Sequence, residues 1–469
     1  GLGDVYKRQV HEQLSDLTTP VGVYLRVREQ YPITLLLESS DYESKENSYS
    51  FIAFEPISRI KIDGNSADVD GKLIDLKDQE SPSVADLLND FYQSVSIEYE
   101  DPNAKKFNGM FGYTSFEAVR YFDTMKLNDE VLLTDHNDSI PDIQFHIFRF
   151  IIAFDHYANK LFIIENRRAQ EESELPRITS LVNRSTHSAF KFNSVGEESC
   201  GLSPEEYKAL VGKAKHHCKI GDVFQLVLSR RFVQDFKGDE FNVYRALRGI
   251  NPSPYLFYFD YGDFKILGSS PEAQLMIRDN KVEIHPIAGT VKRSGDAVED
   301  HNLALSLASD PKENSEHNML VDLARNDLSK SCSNVRVSSD KVIQYFSHVI
   351  HLVSKVEADK PQEVGAFTVF EDTFPAGTLT GAPKYKAIEL ISGYEPEHRG
   401  FYGGSIGYVN FAGDMNMAIT IRSLMAKNQK LYYQAGAGIV INSTEEGELN
   451  EVKHKSQAMR DAIEMANDI

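Results

Sequence analysis

The chain has 469 residues, 70 acidic against 50 basic side chains, a formal net charge of −20 and 41% apolar residues. Such a chain buries a large core without metal or disulfide staples. Its charge repels phosphate backbones and anionic lipid, which excludes a nucleic-acid or membrane-surface protein but leaves room for an anionic small substrate in a locally positive or metal-lined cleft.

Gly1 to Gln9 carries neither an initiator Met nor a signal-peptide apolar region, and it is read as a truncated start outside the fold. Thr34–Leu37 and Phe51–Phe54 are short apolar runs that predict buried strands. Ser83 caps a predicted helix whose apolar positions are Val84, Leu87, Leu88, Phe91 and Val95. Phe145 to Phe154 and Lys160 to Glu165 flank a polar turn and predict a hairpin. The polar stretch from Ser185 to Cys200 marks a boundary, giving an N-terminal region over 10–185 and a second region over 201–469. Ser203-Pro204-Glu205-Glu206 is a capping box, and Gly221 is the matching C-terminal signal. A strand follows from Val223 to Phe232, with Gln225, Val227 and Ser229 on one side. Strands and helices then alternate without βαβ spacing, which predicts an α+β fold with large antiparallel sheets flanked by helices. Three scattered cysteines and the lack of a ~20-residue apolar run point to a reducing compartment, the cytoplasm. Tryptophan is absent.

Two Glu-x-x-Glu pairs carry possible metal chemistry: Glu313 with Glu316, and Glu448 with Glu451. On a helix, positions i and i+3 share a face, and two such faces across a cleft offer the hard oxygen ligands that Mg²⁺ takes. Each pair alone also has a plain structural reading. Asp310 with Glu313 makes a capping box, and Glu451 with Lys455 an ordinary i,i+4 ion pair. Glycine-rich turns occur at Ala288–Thr290, Pro375–Lys384, Tyr402–Gly404 and Ala435–Gly438. Gly377 to Lys384 is not a P-loop, because Ala382-Pro383 separates the last Gly from Lys and Pro383 lacks an N–H. Glu272, His351, Arg422 and Lys455 are candidate acids, bases and anchors, and no GxSxG elbow occurs.

Six segments appear in a fixed order: Gly268–Glu272, Pro286–Thr290, Glu316–Leu328, Pro375–Lys384, Arg399–Gly404 and Ala435–Ile439. From Ser203 to the C-terminus the chain resembles the chorismate-utilising enzymes. Leu36-Leu37-Glu38-Ser39 resembles the leader of its anthranilate-forming branch. The resemblance implies a two-lobed α+β fold and a site in which Glu316 and Glu451 bind Mg²⁺, with Glu313 and Glu448 reaching it through water. It implies that Arg422, Tyr402, Lys455 and the N–H groups near Gly436 and Gly438 anchor the two carboxylates of chorismate. Gln225, Ala288 and Gly289 then line the substrate. Glu272 protonates the departing C4 hydroxyl, and His351 with Thr290 serves the loss of pyruvate. Water-using relatives carry Lys at the Gln225 position, and aminodeoxychorismate-forming relatives commonly carry Lys at the Ala288 position. With neither Lys, ammonia is the expected nucleophile and anthranilate the expected product. Aminodeoxychorismate formation is the alternative. Ser329-Lys330 and Val452 depart from the family's usual Gly-Arg and Thr. The resemblance further implies an amidotransferase subunit supplying ammonia. It also implies feedback inhibition by tryptophan at a site built from Glu38, Ser39, Lys45, Asn251, Pro252, Ser253, Pro254 and Tyr255.

Overall fold

Among the described residues strand pairing is antiparallel with one exception, and it gathers most strands into two arms that part at the candidate site. The computed structural model describes residues 6–39, 48–78, 80–95, 97–98, 102–123, 127, 138–168, 170–345 and 349–469. Strand Thr34–Glu38 is buried along its whole length and lies between Tyr49–Asp63 and Tyr255–Asp260. From Tyr49–Asp63 one arm continues through Ile143–Asp155, Gly109–Thr114, Ser405–Asn410 and Met415–Ile419 to Ala273–Arg278. From Tyr255–Asp260 the other runs through Phe264–Ser270, Ser423–Lys427, Lys430–Ile439 and Gln225–Gly238 to Phe192–Cys200.

Alternation along the strands builds the layers. Leu35, Leu37, Phe51, Phe111 and Phe148 of the first arm meet Phe257, Phe259, Ile266 and Met425 of the second in one apolar cluster. Opposite faces, including Leu36, Ile52 and Leu228, pack under helices Val84–Gln93, Pro204–Ile220, Phe241–Ile250 and Glu445–Ala466. Both predicted helix starts form as expected. Ser83 accepts from the Asp86 N–H, and Ser203 and Glu206 make the reciprocal capping box, with Gly221 at φ +85° closing the helix. The predicted hairpin is Ile143–Asp155 with Lys160–Arg168.

The structure corrects two readings of the sequence, the start and the strand bounds, and adds a strand inside the stretch read as a boundary. The start is not outside the fold: Tyr6–Leu14 pairs antiparallel with Lys160–Arg168, and its Tyr6–Lys7 end pairs parallel with Ile97–Glu98. The polar stretch contains strand Phe192–Cys200, whose main chain pairs with Gln225–Gly238 while most of its side chains face water. Polarity there marks a solvated face and not a linker. The strand predicted from Val223 begins at Gln225 and extends to Gly238. Cys200, Cys218 and Cys332 are free cysteines, and among the described residues no helix is long and apolar enough to cross a membrane.

Candidate active site

The site forms where the two arms part. Gly268 pairs with Ser423 in one arm, and Ala273 pairs with Ala418 in the other. Between them the chain passes through Pro271-Glu272 on one side and Thr420-Ile421-Arg422 on the other. Two hydrogen bonds hold this parting: Ile419 N–H to Glu272 O at 3.0 Å, and Ser269 N–H to Arg422 O at 3.1 Å. Arg422 has φ +51°, a left-handed conformation that L side chains adopt at some cost. Its guanidinium donates to Lys455 O at 2.7 Å, which ties the parting to helix Glu445–Ala466.

Glu272 is strongly displaced in acidity. Burial pushes its carboxyl up to about 8, opposed in part by the hydrogen bond from Thr378 Oγ1 at 3.2 Å and by the charge of Lys455. Glu272 also borders a cavity of about 40 Å³ with Gln274, Asp327, Thr373 and Thr378, polar enough and large enough for water. Asp327 and Lys384 form a part-buried ion pair at 2.6 Å across this region. It joins helix Pro311–Leu328 to the start of helix Lys384–Tyr394, which follows the short helix Gly377–Thr380 that carries Thr378. The sequence motifs contain Thr378, Asp327 and Lys384, but their spacing gives no sign that they support Glu272.

His351 stands on strand Val349–Asp359 opposite Thr290 of strand Ile287–Lys292, with Ala288 opposite Leu352. Its Nδ1 lies 3.1 Å from Gly289 O. A carbonyl there must accept, so Nδ1 carries the proton and Nε2 keeps its lone pair. Burial pushes the imidazole below its ordinary value, and Arg422 adds to this. The ring is therefore neutral near pH 7 and able to take a proton.

Tyr402 is buried and its oxygen faces the Gly436 N–H. A Cβ on Gly436 would lie 3.0 Å from that oxygen, and one on Gly438 would lie 2.4 Å from Gln225 Nε2. A side chain at 436 would crowd backbone and Tyr402 alike, whereas one at 438 would displace the Gln225 amide. Gln225 Oε1 is buried with no hydrogen-bond partner among the described residues, an acceptor left for a bound solute or water to satisfy. Lys455 Nζ donates to Gly436 O at 3.1 Å and to Glu451 Oε1 at 2.7 Å. Glu272, His351, Tyr402, Arg422, Gly436, Gly438, Gln225 and Lys455 are thus linked by contacts and charge interactions.

The four glutamates are a different case. Glu313 reaches Gly289, where a Cβ would lie 3.0 Å from its Oε2. Glu448 is buried, Glu313 and Glu316 are half-buried, and Glu451 is held by Lys455. Among the described residues no three acidic, imidazole or thiol groups lie close enough to share one ion. Both plain readings from the sequence are also present: Asp310 Oδ1 accepts from the Glu313 N–H at 3.2 Å, and Glu451 pairs with Lys455. The donor chemistry of an all-carboxylate set on two helices nonetheless suits a hard cation.

A second constellation lies at the far end of Thr34–Glu38. Glu38 pairs opposite Leu256 in the strand that begins at Tyr255, so the two segments expected to build a regulatory site are neighbours. Glu38 is buried and already engaged: Tyr244 donates to it at 2.5 Å, and Arg248 binds both oxygens at 3.0 and 3.1 Å. Ser39 N–H donates to Tyr49 O, Ser253 is buried, and Asn251 Nδ2 donates to Ser269 O at 3.4 Å. Pro252 and Pro254 flank Ser253 in the turn before that strand. Lys45 lies outside the described residues. Tyr244 and Arg248, absent from the sequence-based set, sit one turn apart on a single helix face, which is the signal that marks them.

This fold and this cleft define a chorismate binding enzyme. That family's profile matches residues 37–461, and the chain belongs to it. Among its relatives, anthranilate synthase component 1 of Aquifex aeolicus is 36% identical over 97% of this chain and 94% of its own length. The crystal structure of anthranilate synthase component I from Streptococcus pneumoniae superimposes with a TM-score of 0.76 at 31% identity, covering 95% of this chain and 98% of that one. The menaquinone-specific isochorismate synthase of Escherichia coli shares the fold at 18% identity, with a TM-score of 0.74 over 98% of this chain and 95% of that one. The fold therefore does not select the reaction; the side chains in the cleft do.

Proposed function

We propose that this chain converts chorismate and ammonia to anthranilate and pyruvate, the first committed step of tryptophan formation. The observation that carries this reading is the Glu272 carboxyl, hydrogen-bonded by Thr378 and facing the charge of Lys455, in a cleft with Gln rather than Lys at position 225. Arg422, Tyr402, Lys455 and the Gly436 and Gly438 N–H groups anchor the substrate's carboxylates. Protonated Glu272 donates to the C4 hydroxyl, which leaves as water while ammonia bonds to C2. Gln225 lacks a basic nitrogen to activate water, and Ala288 lacks an amine to form an adduct. His351 Nε2 then accepts the ring proton as pyruvate departs and the ring becomes aromatic. Glu316 and Glu451 would hold Mg²⁺, with Glu313 and Glu448 contacting it through water, and the ion would supply charge neutralisation and orientation of the ring carboxylate. Lys455 must exchange Glu451 for the substrate in that arrangement.

The reading includes a cytoplasmic setting, a separate glutamine amidotransferase subunit as the source of ammonia, and tryptophan as an inhibitor at the Glu38–Tyr255 site. The test is direct: the purified chain with chorismate, MgCl₂ and ammonium should develop anthranilate fluorescence and release pyruvate stoichiometrically. Accumulation of a product aminated at C4, with its enolpyruvyl group intact, would establish aminodeoxychorismate formation instead. No consumption of chorismate would refute both.

A further inference from the structure

Arg399 opens the motif that carries Tyr402 but has no role of its own in the proposed chemistry, and it is 1% exposed. It donates to both oxygens of Glu395, to Leu379 O at 2.7 Å and to Val227 O at 2.9 Å. Leu379 follows Thr378, which binds Glu272, and Val227 lies on the Gln225 strand. The ring of Phe116 lies 4.6 Å from the guanidinium carbon and that of Tyr402 5.7 Å from it. One buried side chain thus joins three walls of the cleft.

What holds Arg399 itself comes from the first third of the chain. Glu117 is buried and accepts from the Arg399 N–H at 2.6 Å through one oxygen and from the Gly400 N–H at 2.9 Å through the other. The adjacent Phe116 N–H donates to Gly400 O at 2.8 Å. Gly400 has φ +60°, a left-handed conformation in which this turn presents two successive N–H groups to one carboxylate. Tyr402 follows two residues later. We propose that Glu117 is a positioning residue for chorismate: its carboxylate fixes the Arg399-Gly400 turn, and through it the placement of Tyr402 and the Gly436 N–H that receive a substrate carboxylate. This assignment rests on the cleft being the chorismate site.

A carboxylate is required because both oxygens must accept. An amide offers one acceptor and sets an NH₂ donor against the other N–H. Glu117→Gln should raise the KM for chorismate about tenfold or more, with kcat and the KM for ammonia within about threefold. A purely structural role would lower thermal stability and leave the KM unchanged. Burial and the nearby Asp142 push the Glu117 carboxyl up to about 7, against the N–H groups of Arg399 and Gly400. The surrounding charges are Asp142, bonded by Arg120 and Tyr121, and Arg399 with Glu395. As pH falls through about 7, the wild-type KM for chorismate should therefore rise towards that of Glu117→Gln, whose own KM should stay flatter. If Glu117→Gln does not fold, Phe116→Leu decides. It removes the ring beside Arg399 and keeps every hydrogen bond, and it should raise the chorismate KM two- to fivefold at unchanged kcat. A chorismate KM within twofold of wild type in the folded variant, or a loss confined to kcat, overturns the assignment. Wild-type chain that makes no aminated product overturns the proposed reaction, and the assignment with it.

Discussion

Replacing Glu272 by Gln should remove the chemistry and stabilise the protein, and the gain should depend on pH in a defined way. Burial raises this carboxyl from 4.5 to about 8. Below pH 4.5 both folded and unfolded chains carry the proton, and the shift has no effect on stability. Between 4.5 and 8 the unfolded chain releases the proton while the folded chain keeps it, so wild-type stability falls as pH rises. Above 8 the folded carboxyl ionises as well and the deficit is complete. At ~1.4 kcal/mol per pH unit the deficit is about 3 kcal/mol at pH 7 and ~5 kcal/mol above pH 8, as upper bounds for a fully dry site. A neutral amide at this position carries no such penalty and keeps an oxygen to accept from Thr378. Urea midpoints of both proteins at pH 5, 7 and 8.5 should therefore diverge, with Glu272→Gln the more resistant at the higher values. In the same protein kcat should fall by roughly 10²–10⁴, the usual contribution of a general acid. Wild-type kcat/KM at fixed ammonia concentration should decline above about pH 8. Parallel stability profiles, or a variant that is active, would refute the idea of a buried, protonated acid.

Three further outcomes follow from the geometry. Gly438→Ala places a methyl 2.4 Å from Gln225 Nε2 and should raise the chorismate KM about tenfold through the overlap, read by steady-state kinetics. Glu316→Gln should abolish Mg²⁺ binding measured by titration calorimetry in the presence of chorismate, with the melting temperature nearly unchanged; retained heat of binding would remove Glu316 from the ligand set. Ser39→Phe should leave ammonia-dependent turnover nearly intact and raise the tryptophan concentration needed for inhibition, because Ser39 adjoins Glu38 and not the cleft. By linkage, chorismate should weaken tryptophan binding by the same factor that tryptophan weakens chorismate binding.

The parts legible in the sequence are those that local chemistry decides. The capping box at Ser203 and Glu206, the left-handed Gly221 and the hairpin around Asp155–Lys160 each arise from residues within a few positions of one another. The period of helix Glu445–Ala466 puts Glu448 and Glu451 on one face, and its i,i+4 spacing also marks the Glu451–Lys455 ion pair that forms. Glu38 illustrates the opposite limit. Its partner Arg248 is 210 positions away, and the contact exists because strand Tyr255–Asp260 returns beside Thr34–Glu38. Glu117 and Arg399 are 282 positions apart and meet through the pairing of Gly109–Thr114 with Ser405–Asn410. Such partners depend on strand order, which a single sequence encodes only through the whole topology. Residues 192–200 were obscured differently: an edge strand with a solvated face is as polar as a loop.

Thr34–Glu38 is hydrogen-bonded on both edges, to a strand before the exposed stretch 185–190 and to one after it. Gly109–Thr114 likewise spans the two parts through Ser405–Asn410. A protease nick or engineered split within 185–190 would cut the covalent chain at a solvent-facing point and leave these ladders intact. The two fragments should copurify, and co-expressed halves should complement each other. Either half alone would present the bare edges of Thr34–Glu38 or Tyr255–Asp260 and aggregate. Split-reporter cassettes and affinity tags can be inserted at 185–190, far along the chain from every residue of the cleft.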